Sequence, residues 1–241
     1  MNPRIGLIIP SSNRLTEPQF QRHAPPGVGV HVTRLRMTGQ WHRPLDELEP
    51  ALAEAAAALA DTRPGVIVFH CTANSMEGGL AGEARVLEII GKASDGPALT
   101  TGQAITEALG LLGLKRLVLI SPYVAETNQH EIRFLREVGV EVIHDLGLGL
   151  RGGDEFVGVT RERWRAITLA NRRAEADGYL LSCTNTSMIE VIEDLEASLG
   201  KPVVTSNQAA LWAALRRLDI TEPISGLGRL FRDPIPSRRT P

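Results

Sequence analysis

The sequence predicts an α/β fold of two pseudo-symmetric lobes, each a mostly parallel sheet flanked by helices. Short apolar runs alternate with helical patterns, which is typical of βαβ units whose strands are buried on both faces. A short phrase also occurs twice, as GVIVFHCTANSM at 65–76 and as GYLLSCTNTSM at 178–188. The chain's two cysteines, Cys71 and Cys183, occupy the same place in the two copies. We therefore expect a duplicated fold that brings two thiols together at a site between the lobes.

The repeat extends beyond this phrase. RIGLIIPS at 4–11 parallels RLVLISPY at 116–123, and Pro10 and Pro122 are 112 residues apart, the same offset as between the two cysteines. A period this long indicates two fused lobes rather than a solenoid. The predicted divisions are an N-terminal lobe at 1–112, on which the C-terminal segment could pack back, a C-terminal lobe at 113–231 and a flexible tail at 232–241.

The individual elements follow from apolar runs and helix signals. The strand candidates are the apolar runs at 5–9, 65–69, 117–120 and 178–181. The helix candidates lie at 46–61, 80–92, 102–113, 124–138, 161–176, 186–199 and 207–218. Gly139 and Gly200 follow two of these helices, at the position where a C-cap glycine is expected. Leucines run through the connection at 109–116, so we expect the two lobes to pack firmly.

Composition excludes several classes of function. Apolar residues make up 43% of the 241-residue chain and charged residues 22%, as in ordinary globular proteins. A net charge of −2 and few aromatic residues predict no nucleic-acid partner. The apolar stretch at the N-terminus is too short for a signal peptide, and no run is long enough to span a bilayer. We expect a cytoplasmic protein with reduced thiols and no membrane partner.

The predicted site lies at the carboxyl ends of the strands, where open parallel sheets bind ligands. Small hydroxyl, amide and thiol groups follow strands in both halves, and none of these groups is a cation. The segments concerned are Pro10–Asn13, Cys71–Thr72, Thr100–Thr101, Pro122–Tyr123, Cys183–Asn185 and Thr205–Asn207. This chemistry suits a small anion held by hydroxyls and by backbone N–H groups at helix N-termini.

Two chemistries are open to a pair of facing thiols. Cys71 and Cys183 each end a strand and precede a predicted helix, whose positive end would lower the thiol pKa. One thiol could remove a proton from carbon while the other delivers one to the opposite face. Alternatively, one thiolate could add to a carbon while the other thiol protonates its neighbour. Neither route needs a cofactor, and the six histidines lack close metal-ligand spacing.

The sequence resembles the aspartate/glutamate racemase superfamily, in the branch of maleate cis-trans isomerases and arylmalonate decarboxylases. The resemblance covers roughly residues 4–218 and is carried by GLIIPSSN at 6–13, SPYVAETN at 121–128, VVTSNQAALWAAL at 203–215 and the two cysteine motifs. It implies an Asp/Glu racemase-like fold and a cofactor-independent isomerase of a small carboxylic acid, with a small mono- or dicarboxylate as substrate. It also implies a homodimer or higher homo-oligomer. Maleate-to-fumarate isomerisation is the reaction expected first.

The resemblance also implies roles for individual residues. Cys71 would be the nucleophile that attacks the double bond, and Cys183 the acid that protonates the adduct. Asn13 and Tyr123 would contact substrate carboxylates, and Thr72 would contribute to a carboxylate-binding hole. The expected substrate-binding set is Ser12, Asn13, Thr72, Asn74, Tyr123, Thr184 and Asn185.

Several alternatives remain open at this level. The chain could be an arylmalonate-type decarboxylase, in which Cys183 protonates an enediolate and Cys71 is dispensable. It could be an amino-acid or hydantoin-type racemase that uses two-thiol proton transfer, or a binding protein for a small acid without turnover. We expect His70 to serve packing or an interface, because strand alternation points it away from Cys71. Arg34 is expected to be solvated, on an edge-like strand.

Overall fold

The computed structural model describes residues 2–37 and 43–232, which form two parallel sheets of the same topology. The first sheet has the strand order β2-β1-β3-β4 and the second has the order β6-β5-β7-β8. Their strands are β1 (Arg4–Pro10), β2 (Gly29–Leu35), β3 (Val66–Phe69), β4 (Ala98–Thr100), β5 (Arg116–Ser121), β6 (Glu141–Gly147), β7 (Gly178–Leu181) and β8 (Val203–Thr205). The predicted fold class and the predicted duplication are confirmed.

Strand register places the two cysteines at equivalent positions. Ile8 of β1 is paired with Phe69 of β3, so Pro10 and Cys71 both follow the paired residues by two positions. In the second sheet Ile120 of β5 is paired with Leu181 of β7, which sets Pro122 and Cys183 side by side in the same way. The four central strands are almost wholly buried, as their continuous apolar runs predict.

Helices cover both faces of the sheets. They are α1 (Thr16–His23), α2 (Leu45–Ala60), α3 (Thr72–Glu77), α4 (Gly79–Ser94), α5 (Thr101–Leu111), α6 (Ala125–Glu137), α7 (Gly153–Gly158), α8 (Arg161–Ala170), α9 (Ile192–Leu199), α10 (Ser206–Arg217) and α11 (Arg229–Arg232). All seven predicted helices correspond to observed ones, and the short helices α1, α3, α7 and α11 were not predicted.

Two predicted helices are shorter than expected because side chains compete for the backbone. Helix α8 ends at Ala170 rather than at 176, where the Asn171 side chain donates to the Ile167 carbonyl. The helix predicted at 186–199 begins as a 3-10 turn at Met188–Val191 before α9. Ahead of it the Thr186 hydroxyl donates to the carbonyl of Cys183, which keeps this segment out of the helix.

The larger of two hydrophobic clusters spans both halves, and the smaller one lies within the first half. The buried side chains of the larger cluster come from both sheets and from helices α5 and α10, which pack against each other. Arg217 of α10 forms an ion pair with Glu107 of α5 across this contact, at 2.7 Å. Helix α10 also contacts α1 and β3, whereas α11 returns to the second half, where Arg232 pairs with Glu196.

The boundary between 112 and 113 remains a prediction. So does the flexible tail at 232–241, of which all but Arg232 lies outside the described residues. Within the described part of the chain, no helix combines the length and apolar character needed to cross a membrane.

Candidate active site

The carboxyl ends of both sheets open onto one cavity of about 780 Å³. Cys71 follows β3 and caps the N-terminus of α3, and Cys183 follows β7. Both thiols belong to the cavity wall, and both side chains are nearly buried, with exposed fractions of 5% and 3%. Neither forms a disulfide. The cavity therefore combines one free thiol from each half of the repeat.

Most of the predicted site residues line this cavity. Those at its wall are Ser12, Asn13, Cys71, Asn74, Tyr123, Cys183, Thr184 and Asn185. Thr72 is the exception, because its buried hydroxyl donates to the Ser206 hydroxyl at 2.8 Å instead. The Ser206 oxygen in turn accepts the backbone N–H of Cys183 at 3.1 Å. Thr72 thus links the two cysteine turns. It was expected to reach the cavity wall, and it does not.

Asn13 holds the first loop against the second half. Its amide nitrogen donates to the hydroxyls of Thr16, at 2.9 Å, and Thr184, at 3.0 Å, and its oxygen accepts two backbone N–H groups. All four hydrogen-bonding positions of this side chain are therefore used within the protein. To contact a substrate carboxylate, Asn13 would have to release one of these bonds. Thr184 accepts from Asn13, which leaves its own hydroxyl proton for the cavity.

Tyr123 contacts the second thiol. The hydrogen bond between the Tyr123 hydroxyl and the Cys183 sulfur, together with the backbone N–H of Asn185, stabilises a thiolate at Cys183. The ring of Phe156 packs edge-on against the Tyr123 ring, with 5.7 Å between the centroids. Phe156 belongs to α7, and residues 151–153 together with Phe156 form one wall of the cavity.

Cys183 also has an unusual backbone conformation. Its φ of +156° is one that residues with a side chain rarely adopt. Strained backbone of this kind persists where surrounding contacts hold it, often at functional sites. Here the backbone N–H of Cys183 is held by Ser206, and its carbonyl by Thr186.

Both thiols are held in their neutral form by burial. Burial raises the pKa of Cys71 and of Cys183 to about 12, although the backbone N–H of Asn74 lowers the first and the Tyr123 hydroxyl lowers the second. The Cys71 thiol also donates to the Asn74 side-chain oxygen at 3.1 Å. The predicted lowering of both pKa values by helix dipoles is wrong. Helix α3 has only six residues, and Cys183 is followed by an irregular turn.

Arg34 supports the site rather than being merely solvated. It lies on the edge strand β2, as expected, but its guanidinium donates to the Asn13 carbonyl at 2.5 Å and pairs with Glu17 at 2.8 Å. This contact is invisible in the sequence because the loop that carries Asn13 folds back over β2. Arg34 thereby fixes the loop that presents Ser12 to the cavity.

His70 joins the two halves beneath the thiols. Its ring nitrogens form hydrogen bonds to Thr101 at 2.9 Å and to Asn207 at 2.8 Å, and Asn207 belongs to α10 of the second half. The expected packing or interface role is confirmed by these contacts. Burial is the main cause that lowers the pKa of His70 to about 4.

This histidine should make the protein acid-sensitive. The pKa of His70 is lowered from 6.5, so its contribution to stability is present above pH 6.5 and is lost as the pH falls toward 4. The loss amounts to at most about 3 kcal/mol of unfolding free energy. In His70→Gln we expect a lower free energy of unfolding at pH 7 than in the wild type, but a smaller fall in that free energy between pH 7 and 4.5. Both values are measured by urea unfolding. Equal losses in both proteins would contradict this assignment.

The fold and site define a two-lobed α/β protein with one thiol from each lobe at a shared cavity. A family model for arylmalonate decarboxylase matches residues 5–231. The chain belongs to this family, and the resemblance drawn from the sequence is confirmed.

Relatives with known activities cover nearly the whole chain. A maleate isomerase of Nocardia farcinica is 26% identical over 239 residues, which cover 95% of each chain. An arylmalonate decarboxylase of Bordetella bronchiseptica is 27% identical and covers 95% of this chain and 96% of its own. Among solved structures, a Nocardia farcinica maleate cis-trans isomerase, a cysteine-to-serine variant with a covalently bound succinylcysteine intermediate, superposes with a TM-score of 0.88 at 25% identity. That superposition covers 96% of this chain and 99% of the isomerase.

Proposed function

We propose that this protein is a cofactor-independent cis-trans isomerase that converts maleate to fumarate. The observation that carries the proposal is the pair of free thiols, Cys71 and Cys183, at the wall of one cavity between the two halves. The succinylcysteine bound in the Nocardia farcinica relative supports covalent chemistry at a cysteine. A thiolate that adds to one alkene carbon, next to a thiol that protonates the other, is what this reaction requires.

The reaction begins with Cys71 as thiolate and Cys183 as thiol. The Cys71 sulfur forms a bond to one alkene carbon, and the π-electron pair takes the proton of Cys183 at the other carbon. The succinyl thioether now has a single carbon–carbon bond, about which the two carboxylates rotate apart. The Cys183 thiolate then removes the proton, the double bond re-forms, and the carbon–sulfur bond breaks with its electron pair returning to Cys71. Cys71 is then a thiolate again and Cys183 a thiol again, so the cycle balances.

The surroundings of Cys183 suit the role of acid. When its proton leaves, the remaining thiolate is stabilised by the Tyr123 hydroxyl and the backbone N–H of Asn185. Cys71 has the backbone N–H of Asn74 for the same purpose. Because burial disfavours both thiolates, turnover should rise with pH from neutral values as the Cys71 thiolate forms.

Donors at the cavity wall would hold the two carboxylates. The hydroxyls of Ser12 and Thr184 and the guanidinium of Arg151 belong to residues at this wall, and Asn74 and Asn185 add amide groups. Asn13 and Thr72 would act by positioning the loops that carry these donors. The cavity volume of about 780 Å³ leaves room for these groups to close around a small dicarboxylate.

The test is proton NMR in deuterated water with maleate, aspartate and phenylmalonate supplied separately. Fumarate formed from maleate supports the isomerase. Deuterium that enters the α-carbon of aspartate instead would indicate racemisation. Without turnover of any of the three, the proposed substrate is wrong.

Decarboxylation of an arylmalonate is the second candidate, and the family model that matches residues 5–231 favours it. In that reaction Cys183 alone would protonate the enediolate left after loss of carbon dioxide. The same NMR experiment would then give deuterated phenylacetate from phenylmalonate. This activity would persist in Cys71→Ala, whereas the isomerase would not.

We also propose that the protein is cytoplasmic and forms a homodimer or larger homo-oligomer. Its two free thiols suit a reducing compartment. Light scattering coupled to size-exclusion chromatography tests the oligomer, and a monomer at working concentration would contradict it.

A further inference from the structure

Glu131 is a buried acid that the proposed reaction does not use. It lies on α6, its exposed fraction is 0%, and neither carboxyl oxygen has a hydrogen-bond partner in the described part of the chain. A carboxylate buried without partners is strongly destabilising, so such a group either is protonated or serves a purpose.

The position of Glu131 connects it to the thiols. Helix α6 packs against α3, the helix that begins directly after Cys71, and Tyr123 lies two residues before α6. A negative charge at Glu131 raises the pKa of Cys71, of Cys183 and of Tyr123. The carboxyl group therefore lies within electrostatic reach of both thiols and of the hydroxyl that contacts Cys183.

The Ser182 hydroxyl is the neighbouring group with the largest effect on the Glu131 carboxyl group. It is buried and precedes Cys183, and its oxygen, like those of Glu131, has no hydrogen-bond partner in the described part of the chain. Burial raises the pKa of Glu131 to about 8, and interaction with the Ser182 hydroxyl opposes this shift. Each group can supply what the other lacks, because a protonated carboxyl can donate to the hydroxyl and accept from it.

Other charged groups near α6 do not neutralise Glu131. The titratable side chains on the three elements packed most closely against α6 are Glu77 of α3, Glu83, Arg85, Glu88 and Lys92 of α4, and Glu141, His144 and Asp145 of β6. None of them contributes to the pKa shift of Glu131. Arg85 and Lys92, the two cations among them, are both paired with Glu88.

We infer that Glu131 is a positioning residue of the thiol pair. It stays protonated at neutral pH, and its ionisation at alkaline pH suppresses formation of the Cys71 and Cys183 thiolates. The protein thus needs a neutral group here, and a Glu131 carboxylate would limit the rise of thiolate with pH. The effect on turnover rests on the proposed function, whereas the effect on thiol reactivity does not.

The test compares the wild type, Glu131→Gln and Glu137→Gln, the last being a matched change at an exposed position of the same helix. Alkylation rates of Cys71 and Cys183 with iodoacetamide are followed by mass spectrometry across the pH range. In the wild type, the logarithm of the rate should rise less steeply near pH 8, where Glu131 ionises. In Glu131→Gln this break should vanish, and alkylation above it should be faster by about tenfold, the effect of a nearby like charge.

Infrared spectroscopy gives a readout that a purely structural role would not produce. The wild type should show a protonated carboxylic acid band at pH 7 that fades near pH 8, and Glu131→Gln should lack it. If Glu131→Gln does not fold, Ser182→Ala serves instead, because loss of this hydroxyl should move the break to higher pH.

The inference is overturned if the acid band is absent at pH 7 or if Glu131→Gln keeps the wild-type break. A break that is present in a protein inactive on maleate would refute the proposed function while this inference stands.

Discussion

Replacing Cys71 with serine should reduce the conversion of maleate to fumarate by at least about a thousandfold. A serine hydroxyl ionises far less readily than a thiol, so the nucleophile that starts the reaction is lost, and losses of this order are typical for such residues. Cys71 is almost completely buried, and the smaller serine should leave the fold intact. Turnover is measured by NMR, and circular dichroism checks folding.

Cys183→Ser should also show a large loss of turnover, about a hundredfold to ten-thousandfold, which is the usual contribution of a general acid. The two changes act on one reaction cycle, so the double variant should be about as slow as the slower single variant. Intact-mass measurement after incubation with maleate should reveal an adduct only where Cys71 is present. A Cys71→Ser protein that retains a tenth of wild-type turnover of maleate would disprove the nucleophile assignment.

Gly147→Ala should damage both the stability and the activity of the protein. Gly147 ends β6, and a Cβ atom built there would lie 2.5 Å from the Tyr123 carbonyl and 3.2 Å from the Asn128 side-chain nitrogen. Asn128 in turn accepts from Ser121 at 2.5 Å and donates to Asp145 at 3.1 Å, so its side chain cannot move freely. The loop that presents Tyr123 to Cys183 must therefore shift.

We expect Gly147→Ala to lose about 2–4 kcal/mol of unfolding free energy, the range for overpacked or network-breaking changes. Turnover should fall by about a hundredfold, the effect of an approximately 1 Å misplacement at a reacting centre. Gly110→Ala is the matched control, because Gly110 lies within α5 and an added Cβ meets nothing within 4 Å. That change should stabilise the protein by up to about 1 kcal/mol. If both variants behave alike in urea unfolding, the steric argument fails.

The fold could be predicted because short local sequence patterns mark its strands and helices, and because these patterns occur in both halves of the chain. Continuous apolar runs mark strands buried on both faces, and the repeat sets equal positions for Pro10 and Pro122 beside the two cysteines. Helix ends were predicted less well where side chains compete for backbone hydrogen bonds, as Asn171 does after α8. The periodicity of apolar residues does not reveal this local competition for backbone hydrogen bonds.

The location of the candidate site could be predicted from the sequence, but its hydrogen-bond network could not. Polar residues at strand ends were expected to gather at one edge. Of the expected catalytic and substrate-binding residues, all except Thr72 line the cavity, whereas the strand-end residues Thr100, Thr101 and 205–207 do not. The direction of the Thr72 side chain depends on a short helix, α3, that turns its hydroxyl toward Ser206 of the other half. The supporting contact of Arg34 likewise depends on how a loop folds over a strand edge.

By itself the sequence determined the duplicated α/β architecture, the pairing of Cys71 with Cys183 and the family. Only the tertiary structure decided the electrostatics, because a pKa depends on burial and on neighbours that are distant along the chain. From the helix dipoles we expected lowered pKa values for the two thiols, but burial in the folded protein raises both pKa values. Glu131 appears in the sequence as an ordinary helix residue, and packing of α6 against its neighbouring elements is what buries it.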